Sequence, residues 1–262
     1  MRTAFINQLI KEREKNDRIF LIVGDLGYNV VNTFADRFPK SYINAGIAEQ
    51  NMMGVAAGLA SEGYIVYVYS IGNFPTLRCM EQIRNDVAYN NFNVRIVSVG
   101  AGFAYGSLGA SHHTTEDIAM LSTLPNLAVC SPGDPAEAQR ITSLSVLHNG
   151  PMYIRLGKAG EKSVHSAETE LNFNIGDIVT ITTKETDTAV LATGSILYQA
   201  LTDISEQNLN YSLYSVPTIK PVNHNNLQKI AKNYSSLIII EEHQIIGGLS
   251  AIITSALSDM YA

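Results

Sequence analysis

Short runs of consecutive apolar, β-rich residues alternate along the chain with segments whose apolar positions recur every three or four residues. The runs fall at 19–23, 64–69, 94–99 and 127–130, and near-continuous hydrophobicity over so few residues suits strands buried on both faces. Between them lie helix-period segments at 47–60, 75–89, 116–122 and 134–148, with Pro75 and Pro135 where a first helical turn tolerates proline. Residues 1–18 read as a charged amphipathic helix. A second series follows, with runs at 188–193, 211–216 and 237–240, a helix from Ser195 and a last helix after Gly247 and Gly248. This rhythm predicts an α/β fold of two doubly wound domains with mostly parallel sheets. A polar stretch breaks it, which sets the expected boundaries at 1–160 and 187–262 with a linker over 161–186.

Composition narrows the partners. With 262 residues, 46% of them hydrophobic, the chain can bury the cores of two domains. Eighteen basic against 24 acidic residues give a net charge of −6, and no Lys/Arg run could track a phosphate backbone. Nucleic acid and anionic membrane are not expected partners. Cys79 and Cys130 stand far apart in apolar surroundings, which suits free thiols in a reducing cytoplasm rather than a disulfide framework or a metal knuckle. The longest weakly polar stretch, 245–257, is too short to span a bilayer, so neither a signal peptide nor a membrane span is expected.

The usual site motifs fail one by one. Gly100, Gly102 and Gly106 follow a strand, but Tyr105 stands where a dinucleotide loop needs a glycine or alanine for close helix packing. There is no G-x-x-x-x-G-K-[ST] loop and no G-x-S-x-G elbow. His112 and His113 are adjacent and lack a third ligand, so no metal site is expected in this chain. What remains is a Gly/His loop and the segment 44–60, NAGIAEQNMMGVAAGLA, an unusually small-residue helix with Glu49 at its start. Glycine weakens a helix by up to about 1 kcal/mol per position, so such a helix serves close approach. Glu49 is either a first-turn acid that complements the helix dipole, or a carboxylate held among apolar neighbours and suited to proton transfer.

The segment AGIAEQNMMGVAAGLASEG closely resembles the glutamate helix of the pyrimidine-binding domain in transketolases. VGDLG at 23–27, MEQIRNDVAY at 80–89, GASHHTTEDIAMLSTLPNLAVCSPGDPAEA at 109–138 and YIRLGK at 153–158 resemble further parts of that domain in the same order. VLATGS at 190–195, VPTIKPVN at 216–223 and IIIEEHQIIGGL at 238–249 are similar to the family's C-terminal domain. The GDG…N segment that holds the diphosphate and Mg²⁺ in whole transketolases has no counterpart here. The resemblance therefore implies the C-terminal subunit of a split transketolase: a pyrimidine-binding domain at 1–160 and a shortened C-terminal domain at 187–262. It also implies thiamine diphosphate as cofactor, Mg²⁺ held by a separate N-terminal, diphosphate-binding subunit, and a cytoplasmic heterotetramer.

The same resemblance assigns roles. Glu49 hydrogen-bonds the pyrimidine ring nitrogen and favours the tautomer that removes the thiazolium proton. Tyr69 and Phe74 fall in the family's aromatic region beside the pyrimidine, or are ordinary core rings. Asp25 lines the cofactor cleft, or caps a turn. His112 contacts the donor's oxygens, and Arg155 and Arg2 align with arginines that hold a sugar phosphate. Two departures stand out: Gly100 replaces a histidine, and Ser107 and Leu108 replace Glu-Asp. A buried leucine at 108 cannot bond a substrate hydroxyl, which implies an altered donor or acceptor. The expected activity is transfer of a two-carbon ketol unit between sugar-like substrates. Alternatives are a 2-oxo acid decarboxylating or acyl-transferring subunit, and a non-catalytic scaffold that binds a partner.

Overall fold

Helix α1 (Arg2–Lys15) turns Phe5, Ile6, Leu9 and Ile10 inward, a spacing that lays one face of a helix on a sheet. It feeds β1 (Ile19–Val23), in which every residue is buried. The structure, a computed structural model, describes residues 1–166 and 171–261. Residues 167–170 of the expected linker, and residue 262, lie outside the described residues.

The first half continues as α2 (Asn32–Arg37), β2 (Tyr42–Asn44), α3 (Glu49–Ser61), β3 (Ile65–Ile71), α4 (Met80–Gln82), β4 (Val94–Val99), α5 (Asp117–Ser122), β5 (Ala128–Cys130), α6 (Pro135–Leu147) and β6 (Met152–Leu156). Asp134 starts α6 as its N-cap, its Oδ1 accepting the Glu137 backbone N–H at 2.9 Å, with Pro135 at the first helical position. The single helix expected over 75–89 is composite: a 3₁₀ turn at Leu77–Cys79, then α4, then a π-helical stretch at Ile83–Ala88.

The second half adds β7 (Val179–Thr182), β8 (Thr188–Ala192), α7 (Ile196–Glu206), β9 (Ser212–Ser215), β10 (Thr218–Lys220), α8 (His224–Asn233), β11 (Ser236–Ile240) and α9 (Leu249–Tyr261). The seven-stranded sheet runs β10-β5-β6-β4-β3-β1-β2, and the four-stranded sheet runs β11-β8-β9-β7. Among the described residues, every strand pairing is parallel except β10 with β5 and β7 with β9. Strand β7 lies within the segment 161–186 that polarity marks as a linker, and it forms an edge of the second sheet. Strand β10 comes from the second half of the chain yet closes the first sheet, Thr218 pairing with Cys130.

Apolar clusters fill both faces of the large sheet. One joins α1, α2 and α6 to its back. The other joins α3, α5 and the π-helical stretch to its front and runs on into Ala189, Leu191, Tyr214, Leu227 and Leu249 of the second half. Because β1, β3, β4 and β6 are parallel, the loops leaving their carboxyl ends gather along one edge, the usual place for a ligand in such sheets. Among the described residues, no helix is long and apolar enough to cross a membrane, and no three His, Cys, Asp or Glu side chains come together as metal ligands would.

Candidate active site

Glu49 stands at the first turn of α3 and is only 2% exposed. Its burial follows from the helix face it shares. Met52, Met53, Ala56, Ala57 and Ala60 point into the core, and the three- and four-residue spacing of Glu49 from Met52 and Met53 turns its carboxylate the same way. A Cβ on Gly24, just past β1, would sit 3.7 Å from Glu49 Oε1 and 3.4 Å from Ser70 Oγ. Gly24 thus leaves bare backbone beside the acid. The Ser70 hydroxyl is fully buried and has no hydrogen-bond partner among the described residues, an arrangement that costs about 1–3 kcal/mol unless something fills it.

Arg78 is the residue that sequence reasoning missed. Its Nη1 donates to Glu49 Oε2 at 2.7 Å, its side chain is 46% exposed, and its guanidinium lies 4.6 Å from the centre of the Phe74 ring. The two partners are 29 positions apart on different elements, and no local signal connects them.

From Phe74 an aromatic row continues. The His112 ring meets Phe74 edge-on at 5.4 Å and Tyr105 at 5.6 Å, and Lys158 Nζ lies 5.1 Å above the Tyr105 ring. His112 Nδ1 is 3.0 Å from Ser111 Oγ. The loop carrying Tyr105 and His112 is closed at its base by a two-bond bridge between Gly102 and Thr114. Asp25 sits nearby at the end of β1 in a left-handed backbone conformation, φ 53°. Its Oδ1 accepts from Asn44 Nδ2 and the Tyr28 hydroxyl, both at 2.9 Å, and these bonds, Asn44 first, hold its carboxyl below the usual carboxylate range.

Glu49, Phe74, His112 and Asp25 therefore fall along one edge of the sheet, whereas two expected residues do not join them. Tyr69 faces the back of the sheet: it is buried, stacks on Phe5 at 6.1 Å, and lies under the Gly27 turn, where an added Cβ would meet its ring at 2.9 Å. Alternation along β3 explains this, since Ser70 takes the front and its neighbour must take the back. Arg155 is buried with its donors already engaged: Nε to Asp117 Oδ2 at 2.7 Å, and Nη2 to the carbonyls of Thr114 and Glu242 at 2.6 and 3.0 Å. An arginine so committed clamps the two halves of the chain rather than meeting a ligand. Leu108, expected to be buried, is 53% exposed on a short 3₁₀ turn, Gly106–Leu108, so it buries no polar atom. Arg2 opens α1, and its charge bears on Tyr105 and Tyr69.

Comparison with known proteins gives the geometry its family. Residues 1–160 match the transketolase pyrimidine-binding domain, and residues 177–262 match the transketolase C-terminal domain. One of the two subunits of an apulose-4-phosphate transketolase from Phocaeicola vulgatus is 33% identical, over 98% of this chain and 83% of that one. A 6-deoxy-6-sulfo-D-fructose transketolase subunit of Clostridium sp. is 29% identical, over 99% and 81%. A split-gene transketolase solved as an inactive beta4 tetramer superposes with a TM-score of 0.88 at 32% identity, covering 100% of this chain and 86% of that one. With the pyrimidine-binding and C-terminal domains side by side and a buried glutamate at the head of α3, the chain belongs to the transketolase family as the C-terminal subunit of a split transketolase.

Proposed function

We propose that this subunit supplies the pyrimidine side of a thiamine-diphosphate site and moves a two-carbon ketol unit between sugars when joined to a second polypeptide, which holds the diphosphate and its Mg²⁺. Glu49 carries this reading: a buried carboxylate beside the bare backbone of Gly24 and the unsatisfied hydroxyl of Ser70. These features fit a flat, weakly basic heterocycle, which needs an acid to share a proton, room beside that acid, and a polar atom awaiting a partner.

Bound thiamine diphosphate would supply a nucleophilic carbon for the ketose carbonyl. Glu49 would hold the ring nitrogen of the aminopyrimidine and exchange a proton with it. Arg78, pairing with Oε2, keeps the carboxylate turned so that Oε1 lies toward Gly24. Phe74 gives the heterocycle an apolar wall, Asp25 borders the cleft, and His112 meets the oxygens of the sugar. Asp25 needs no proton for this, being ionised by its bonds to Asn44 and Tyr28.

The outer face of α3 is where the second polypeptide would dock. Ile47 and Val55 are exposed there, and no atom of the described residues lies within 4 Å of the positions a Cβ would take on Gly54 and Gly58. Assembly of the split-gene relative as a tetramer supports such contacts, and two copies of each polypeptide make the expected heterotetramer. Both relatives are named for sugars with an anionic end, a phosphate in one and a sulfonate in the other, which favours a substrate of that kind here.

The test combines this subunit with a diphosphate-binding transketolase subunit, thiamine diphosphate and Mg²⁺, and follows ketol transfer. Glu49→Gln lowers turnover by roughly 10²–10⁴-fold with an unchanged circular dichroism spectrum. Undiminished turnover in that variant overturns the assignment.

A further inference from the structure

Tyr105, which disqualified the dinucleotide motif, has a place in the site. Gly100 leaves β4 with φ 98°, a left-handed conformation, and any Cβ there would collide with the Tyr105 ring. The missing side chain at 100 is what lets the ring lie down over the backbone. Laid there, Tyr105 presents its edge to His112 and its face to the Lys158 ammonium. Lys158 is exposed and also borders an open cleft of about 590 Å³, together with Phe103, Lys162, Ser195, Tyr198 and Glu242. The acid nearest Lys158 in the chain, Glu161, is already paired with the Met1 ammonium at 2.8 Å. Arg155, by contrast, has no free fork to offer an anion.

We propose that Tyr105 and Lys158 together determine substrate choice: the ring bounds the sugar beside His112, and the Lys158 ammonium, steadied over that ring, receives the anionic end of the substrate. The pair replaces an arginine fork with a point charge, which binds phosphate or sulfonate without demanding bidentate geometry. A cation over an aromatic face gains about 0.5–1 kcal/mol at an exposed site, enough to bias its position without desolvating it.

This inference rests on the transketolase reading above, and its test separates the two. In the reconstituted complex, with hydroxypyruvate as donor, D-ribose 5-phosphate and D-ribose are compared as acceptors. Lys158→Met raises KM for the phosphorylated acceptor about tenfold, with kcat held within about twofold and KM for D-ribose unchanged, because one desolvating charge contact contributes on the order of 1.4 kcal/mol. Tyr105→Phe behaves as the wild type, and Tyr105→Ala raises the phosphate-specific KM partway, as Lys158 loses its rest. Equal changes for both acceptors, or none for either, overturn the proposal. A wild-type complex inert toward both acceptors speaks against ketol transfer instead. Calorimetric titration with D-ribose 5-phosphate then decides: about tenfold weaker binding by Lys158→Met sustains the proposal, and absent or equal binding overturns it. Replacing the phosphate by a sulfonate of equal length shows which anion the ammonium prefers.

Discussion

Asp117 Oδ2 accepts two hydrogen bonds inside the protein, one from Arg155 Nε at 2.7 Å and one from the Tyr153 hydroxyl at 2.6 Å, and all three side chains are buried. The Arg155 guanidinium extends this to the backbone of Glu242, so the pair fastens the second half of the chain to the first.

Breaking a buried pair leaves one charge uncompensated, at a cost of about 3–5 kcal/mol, whereas removing both charges is close to neutral. Asp117→Leu and Arg155→Met are therefore each strongly destabilising in urea unfolding, and the double variant lies nearer the wild type than either single one. An Arg155→Met chain that unfolds at the wild-type midpoint and loses only affinity for phosphorylated sugars would return Arg155 to the substrate.

Gly100→Ala strains the backbone and the ring at once. Holding alanine at φ 98° costs about 1–3 kcal/mol, and displacing Tyr105 adds to it. Adding Tyr105→Ala to Gly100→Ala removes the collision and leaves the backbone strain. Thermal unfolding thus places the double variant above the Gly100→Ala single variant and below Tyr105→Ala alone, provided ring loss does not exceed the collision relieved. An alanine at 100 that leaves the unfolding temperature unchanged shows that the loop has another stable arrangement.

His165 carries a pH dependence. Burial alone would lower its proton affinity, but the hydrogen bond to Glu137 Oε1 at 3.1 Å and the charges of Glu137 and Asp134 outweigh that and leave it raised. A raised folded value means that this stabilisation is complete below the ordinary histidine range, about 6.5, and is lost as pH rises through the folded value. Asp134 Oδ2 also accepts the backbone N–H groups of Val164 and His165, both at 2.9 Å, so the cluster holds residues 164–165 against the start of α6. The gap in urea midpoint between wild type and His165→Asn is widest near pH 6 and narrows toward pH 8.5. A gap constant across that range shows that the imidazolium charge adds nothing.

Elements built from local signals were legible before any fold was known. β1 and β4 match the apolar runs at 19–23 and 94–99, and α6 begins where Asp134 and Pro135 say it should. Glu49 was legible for a different reason, because its helix resembles a familiar one over many residues. What escaped notice depends on distant partners. Strand β10 is three residues long and exists only because Cys130 and Val129 offer an open edge. Arg78 finds Glu49 across 29 positions, and Arg155 finds Asp117 across 38. Tertiary pairing decides such residues, and no periodicity marks them.

The outer face of α3 allows a prediction in which stability and assembly move in opposite directions. Gly54 lies mid-helix and exposed, with nothing among the described residues within 4 Å of where a Cβ would be. Leucine has the better helix propensity, so Gly54→Leu stabilises the isolated subunit by roughly 0.5–1 kcal/mol. If the glycines keep that face smooth for a second polypeptide, the same leucine stands in the contact and cannot be accommodated without separating the helices. Light scattering of the variant mixed with a diphosphate-binding subunit then reports unassembled chains where the wild type gives a complex, while its urea midpoint rises. A variant more stable than wild type that still assembles fully moves the docking surface away from α3.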